Sequence, residues 1–279
     1  MTQDTILWVC EDARLVGAEA LDPLLDAGER ARRSRFRFEH LARQYTVAHG
    51  LLRLALTRKC PHIEPADWRF SAGPYGKPGV APGLPPLAFS LAHTRGLVAI
   101  AVGAAEDGPL GLDAEDAGRS VDLAVANRFF APVEVEDLFL LPDGERLRRF
   151  FTLWSLKESF LKATGLGLSL PLDTFSFTFP GAGLLAFARH ADRVPESCRT
   201  ALGVADPVGP GPRDYGFAQM LLEGTEARHA LALCLPVDAA MPAFRLEAVE
   251  AVRPPRAESG KAPDVAARRL EPVWDWRTS

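Results

Sequence analysis

Two carboxylates placed two residues apart are the first sign of chemistry in this chain. They lie in Gly111-Leu112-Asp113-Ala114-Glu115. An extended backbone sends successive side chains to opposite faces, so Leu110, Leu112 and Ala114 are expected to face a core and Gly111, Asp113 and Glu115 to face away. The acids then stand roughly 7 Å apart along the strand. A divalent cation that takes oxygen ligands, such as Mg²⁺, suits such a pair; the alternative is an exposed strand end with solvated acids. A second group lies in FFTLWSLKESFLK, residues 150–162. This segment is apolar on most of its circumference, which implies a buried helix, yet it carries Lys157, Glu158 and Lys162. Glu158 and Lys162, four apart, share a face. Buried charges are costly unless they are paired, ligated or turned into a cleft. The pair is therefore either an ion pair on a thin solvent-facing stripe, or a third carboxylate and an anion-binding lysine aimed into a site.

Three weaker features accompany these. His93 closes a strand, with Arg95 beside it in the turn His93-Thr94-Arg95-Gly96. Lys77 sits in the loop tripeptide Gly76-Lys77-Pro78, where free backbone groups can meet a ligand. Arg30, Arg32, Arg33, Arg35 and Arg37 form a locally basic run, either a solvated helix face or a landing site for phosphate or an acidic partner. Several chemistries are excluded by motif. There is no G-x-S-x-G elbow, no phosphate-binding P-loop, no G-x-G-x-x-G and no H-E-x-x-H. The histidines lack metal-ligand spacing. Cys10, Cys60, Cys198 and Cys234 lie far apart with no C-x-x-C, as expected of reduced thiols.

The elements that must position these groups follow from the hydrophobic pattern. Residues 5–10 predict a strand and 22–34 a charged helix. A stronger helix is expected over 38–58, where Phe38, Leu41, Tyr45, Ala48, Leu52 and Ala55 step by three and four. Residues 70–86, rich in Gly and Pro, predict a loop. Strands follow at 87–91, 97–102 and 110–115. Residues 120–141 are mostly helical, and a long helix over 145–164 stops at Gly165. Phe175, Phe177 and Phe179 alternate as in a strand, and 215–222 with 228–235 predict a hairpin. The order strand, helix, strands occurs twice. It implies an α+β fold of two similar halves, 1–105 and 106–237, with 238–279 an extension that is linker-like around RPPRAESGKAP and ends in two indoles, Trp274 and Trp276.

The 279 residues carry 32 Lys+Arg against 36 Asp+Glu, a net charge of −4, which argues against nucleic acid as partner. At 47% hydrophobic the chain can bury a core. The longest apolar run, Leu97 to Ala105, is far short of a membrane span, and the first residues do not have the pattern of a signal peptide. A cytoplasmic location is expected.

Taken in order, GKP at 76–78, FSLAH at 89–93, GLDAE at 111–115 and WSLKESFLKATGLGLSLPL at 154–172 resemble the 4′-phosphopantetheinyl transferases in their long Sfp-like branch. The resemblance runs from about residue 24 to 180 and more loosely to 237. It implies two pseudo-symmetric α/β halves with the active site at their junction, and as substrates coenzyme A and an apo acyl or peptidyl carrier protein. The phosphopantetheine arm would move to a carrier serine and release adenosine 3′,5′-bisphosphate. Carried over by position, Asp113, Glu115 and Glu158 would hold Mg²⁺, and Lys162 would bind the pyrophosphate with Lys157 in the same site. Glu158 would be the first choice as base. Ala92, His93 and Thr94 would approach the 3′-phosphate, with Arg32 and Arg43 as further basic positions. Gly76, Lys77 and Pro78 would line the adenine pocket, and Glu134 would be a further acid near the metal. Ala92 stands where the family usually has a serine, so one phosphate hydrogen bond would come from Thr94 or backbone. Two fused halves imply a monomer. Two rival readings use the same residues: a Mg²⁺-dependent phosphodiesterase or pyrophosphatase with water as nucleophile, and a coenzyme-A- or carrier-binding module without catalysis.

Overall fold

A computed structural model describes residues 5–181, 184–202, 214–223, 227–237, 244–253 and 263–270. In chain order the elements are β1 (Thr5–Cys10), α1 (Ala27–Arg33), α2 (Glu39–Lys59), β2 (Phe70–Ala72), β3 (Pro78–Val80), β4 (Leu87–Thr94), β5 (Leu97–Ala104), β6 (Gly111–Asp116), α3 (Ala126–Phe129), α4 (Pro132–Leu140), α5 (Asp143–Thr164), β7 (Phe175–Gly181), β8 (Leu184–Arg189), α6 (Glu196–Arg199), β9 (Asp214–Glu223), β10 (Arg228–Val237), β11 (Phe244–Arg253) and β12 (Asp264–Arg269). No helix among the described residues is long and apolar enough to cross a membrane.

The chain divides into two compact units. The first takes residues up to 72, residues 78–108, and β11 with β12. Its five-stranded sheet has the order β12-β11-β1-β5-β4. Every residue of β1 is buried, as its unbroken apolar sequence requires. β1 pairs with β5 antiparallel and with β11 parallel. The helix α2 supplies Val47, Ala48, Leu51, Leu52, Ala55 and Leu56 to the same core as Trp8, Val98 and Ile100. Its first turn lies outside that core: Phe38 and Leu41, expected on the buried stripe, are exposed. Gly50 lets α2 close on its neighbour, since a Cβ there would stand 2.6 Å from Leu21 Cβ.

Two expectations change here. The stretch 70–86, expected as a loop, contains the hairpin β2–β3, with Phe70 opposite Val80 and Ala72 opposite Pro78. His93 and Thr94 belong to β4, so the turn is only Arg95-Gly96, where Gly96 has φ +75°. The hydrogen-bond pairing of His93 with Val98 and Thr94 with Leu97 carries the strand further than apolar alternation indicates. No strand was expected beyond 237, yet β11 and β12 are both there. Charges at Arg245, Glu247, Glu250 and Arg253 break the two-residue alternation of β11, but Glu247 shows why the tail packs: it accepts hydrogen bonds from Trp8 Nε1 at 2.9 Å and from Arg58 Nη2 at 3.0 Å. The core of RPPRAESGKAP and the two terminal indoles fall outside the described residues.

The second unit takes residues 73–77 and 109 to the end of β10. Its sheet has the order β6-β10-β9, all antiparallel. Helix α5 packs against it together with an aromatic group, Phe160, Phe175, Phe177, Phe187 and Phe217. The helix ends at Gly165, φ +73°, a left-handed conformation that glycine adopts without penalty. The alternation expected along β6 is present, but its exposure is not. Ala230, Ala232 and Cys234, cross-strand partners of Glu115, Asp113 and Gly111, lie in the α5 core. The acidic face is therefore covered by a helix, while Leu112 and Ala114 are buried on the other face.

Candidate active site

Gly111 explains how the two acidic segments meet. A Cβ at this position would lie 1.9 Å from Ser159 O and 2.4 Å from Ala163 N. Both are backbone atoms of α5, so only glycine permits this approach of helix to strand. Ser159 and Ala163 each follow one of the site residues, Glu158 and Lys162. The contact that needs Gly111 thus sets the spacing of those side chains against Asp113.

Lys162 Nζ donates to Asp113 Oδ1 at 2.7 Å. The other oxygen, Asp113 Oδ2, is buried and has no hydrogen-bond partner. Burial pushes the Asp113 carboxyl up, and Lys162 pulls it back only in part. Glu115 rises to about 7, first from burial and then from the negative charge of Asp113; Arg119 and Lys162 oppose this, while Glu158 adds to it. Glu158 is also raised, by burial and by Asp113. Glu115 and Glu158 therefore each feel Asp113 as a like charge. Arg119 was not singled out from the sequence. It bonds Glu115 at 3.1 Å, four residues back, and its guanidinium lies over the Phe151 ring at 5.0 Å. The turn after β6, not a helical spacing, brings the two together, so periodicity carries no signal for Arg119.

Hard carboxylate oxygens, one of them buried without a partner, suit a hard cation in donor chemistry. Among the described residues no three His, Cys, Asp or Glu side chains are gathered as a ligand group. Like charges in a partly buried site hold apart, and the Lys162 ammonium already pairs with one of them. Mg²⁺ usually takes only one or two carboxylates directly and completes its shell with water and phosphate oxygens, so Asp113 with either glutamate is chemically adequate.

Lys157 and Glu134 pair with each other in the interior. Lys157 is fully buried: its Nζ donates to Glu134 Oε2 at 2.7 Å, Leu172 O at 2.7 Å and Phe175 O at 2.8 Å. Glu134 is equally buried and also accepts from the N–H groups of Ala131 and Phe177, each at 2.8 Å. One residue separates Lys157 from Glu158, which turns it about 100° around the helix and into the core. All its donors are committed, and the pair ties α4, α5 and β7 together.

The other residues expected at the nucleotide are placed as follows. His93 is exposed near the end of β4, and Ala92 before it is buried. Gln44 Nε2, on α2, donates to Thr94 O at 2.7 Å and fixes that strand end. Arg32 is exposed, with its guanidinium 5.9 Å from the centre of the Tyr45 ring. Arg43 donates to Asp12 O at 3.1 Å and Leu15 O at 2.9 Å, so its main work is to hold the backbone. Gly76 has φ +83° and no heavy atom within 4 Å of a Cβ position, and Pro78 is exposed. The side chain of Lys77 turns to two backbone carbonyls. Its Nζ donates to Leu110 O and Ala163 O, both at 3.0 Å, and burial draws its pKa down to about 8.

Comparison with known proteins decides the family. A model described as ACPS, 4′-phosphopantetheinyl transferase superfamily, matches residues 109–209. The 4′-phosphopantetheinyl transferase ffp of Bacillus subtilis is 37% identical over 158 residues, which is 57% of this chain and 68% of that protein. The chain belongs to the 4′-phosphopantetheinyl transferase superfamily. Sfp of Bacillus subtilis (strain 168), 37% identical over 51% of this chain and 61% of its own length, places it with the Sfp-like transferases. HetI of Nostoc sp. (strain PCC 7120 / SAG 25.82 / UTEX 2576) is 36% identical over 52% of this chain and 61% of its own length. The matches to Sfp and HetI thus span less than two thirds of those transferases.

Proposed function

We propose that this chain transfers the 4′-phosphopantetheine arm of coenzyme A to a serine of an apo acyl or peptidyl carrier protein. Family membership supports the reaction class. The observation that carries the assignment of residues is the contact of Lys162 with Asp113, whose second oxygen is buried without a partner. Asp113, with Glu115 and Glu158, would hold Mg²⁺, which when bound supplies a Lewis acid for the diphosphate. Lys162 leaves Asp113 to place its positive charge on the diphosphate oxygens. The carrier serine oxygen bonds to the β-phosphorus while the bond from that phosphorus to the bridging oxygen breaks. Adenosine 3′,5′-bisphosphate leaves with that oxygen. Glu158 takes the serine proton; its raised pKa, caused by burial and by Asp113, brings it nearer to that task. His93, with Arg32 as a further cation, would meet the 3′-phosphate, and the backbone of Gly76 and Pro78 the adenine. A cytoplasmic monomer is the setting proposed.

The test is incubation of the protein with coenzyme A, Mg²⁺ and a panel of apo-carriers, followed by intact-protein mass. The expected result is a carrier heavier by one phosphopantetheine and an equal amount of adenosine bisphosphate. Bisphosphate formed without any carrier would instead favour hydrolysis by water.

A further inference from the structure

Lys77 lies in a tripeptide expected at the nucleotide, yet its ammonium is directed inside the protein. Nζ donates to Leu110 O and to Ala163 O, both at 3.0 Å. Leu110 immediately precedes Gly111, where β6 comes nearest to α5. Ala163 immediately follows Lys162. The lysine stem packs at the helix end as well: a Cβ on Gly165 would lie 3.3 Å from Lys77 Cδ. The turn that carries it is closed by Gly73 N to Lys77 O at 2.8 Å and Gly76 N to Gly73 O at 2.9 Å. A cation at a helix C-terminus is also favoured by the helix dipole.

We propose that Lys77 is a positioning residue, a clip that joins the start of β6 to the last turn of α5 and so sets Lys162 and Glu158 against Asp113. Two strands of observation meet in this role. Gly111 removes the steric barrier between strand and helix, and Lys77 bonds one carbonyl on each side of the resulting contact. Loss of the clip lets the last turn of α5 drift, and small misplacements at a reacting centre are costly, on the order of a hundredfold for 1 Å. The inference rests on the reading of Asp113, Glu158 and Lys162 as the transfer site.

Two measurements on the full chain test it. In the first, the wild-type protein is treated with a small amine-acylating reagent, with and without coenzyme A, and Lys77 is followed by peptide mass. The clip predicts that Lys77 stays unmodified in both. Modification in the free protein, whether or not coenzyme A prevents it, overturns the clip, and this result does not depend on transfer activity. In the second, Lys77→Met is compared with wild type at equal amounts of folded protein. The expected change is a fall in kcat of at least about tenfold with KM for coenzyme A within about twofold. A raised KM with unchanged kcat, or no change in either, contradicts it. If wild-type protein transfers nothing, the proposed function fails, and the labelling result still decides whether Lys77 is a clip.

Discussion

At the scale of single residues, the charges of α5 separate into one that is part-exposed beside an acid and one that holds the interior together. Lys157 and Lys162 show the difference. Both lie in the same sequence motif, and periodicity alone cannot tell which faces the core, because α5 is apolar on most sides. Their partners decide it: Lys157 is bonded to Glu134 and two carbonyls in the interior, whereas Lys162 is part-exposed beside Asp113. His93, exposed near the end of β4, is proposed to meet the 3′-phosphate. Replacement by alanine is expected to raise KM for coenzyme A about tenfold or more while leaving that for dephospho-coenzyme A, which lacks the phosphate, nearly unchanged. Equal losses for the two nucleotides would remove this role.

At the scale of elements, the site depends on how α5 is seated. Gly111 and the buried Lys157–Glu134 pair act from opposite sides of the helix. The pair predicts its own mutant. Lys157→Met leaves Glu134 buried without its countercharge, which costs about 3–5 kcal/mol, and urea unfolding should show this loss. The folded fraction should keep its KM for coenzyme A; a strongly raised KM at unchanged stability would return Lys157 to the substrate. The sequence made the long helices and most strands of both sheets readable, because β1 and β5 are unbroken apolar runs and the apolar residues of α2 step by three and four. It also indicated Asp113, Glu115, Glu158 and Lys162 as residues of one site. It did not disclose which face of β6 is covered, since that depends on a glycine contact 48 positions away from Ser159 in the chain. Nor did it disclose β11, whose pairing with β1 is non-local and whose charged positions hide its apolar ones.

At the scale of the whole molecule, stability and activity draw on different charge clusters. In the first unit Arg53 is buried and donates to Glu29 Oε2 at 2.7 Å, while His49 Nδ1 is 2.9 Å from Glu29 Oε1. Burial alone would raise the Glu29 pKa; the hydrogen bonds of His49 and the Asp26 N–H, with the charge of Arg53, outweigh it and bring it to about 2. Because the folded value lies below the ordinary 4.5, the unfolded chain takes up the proton first as pH falls. The stabilisation is complete above about 4.5 and is lost as pH falls through about 2. Urea midpoints measured across that window should fall less steeply for Glu29→Gln than for wild type; equal slopes would contradict the network. For the second unit the decisive measurement is transfer by the full chain at saturating coenzyme A, Mg²⁺ and apo-carrier, wild type beside Asp113→Ala, with thermal unfolding recorded for both. The account predicts that the variant folds and that its turnover drops by at least about a hundredfold. A folded Asp113→Ala protein that modifies the carrier at the wild-type rate would contradict it.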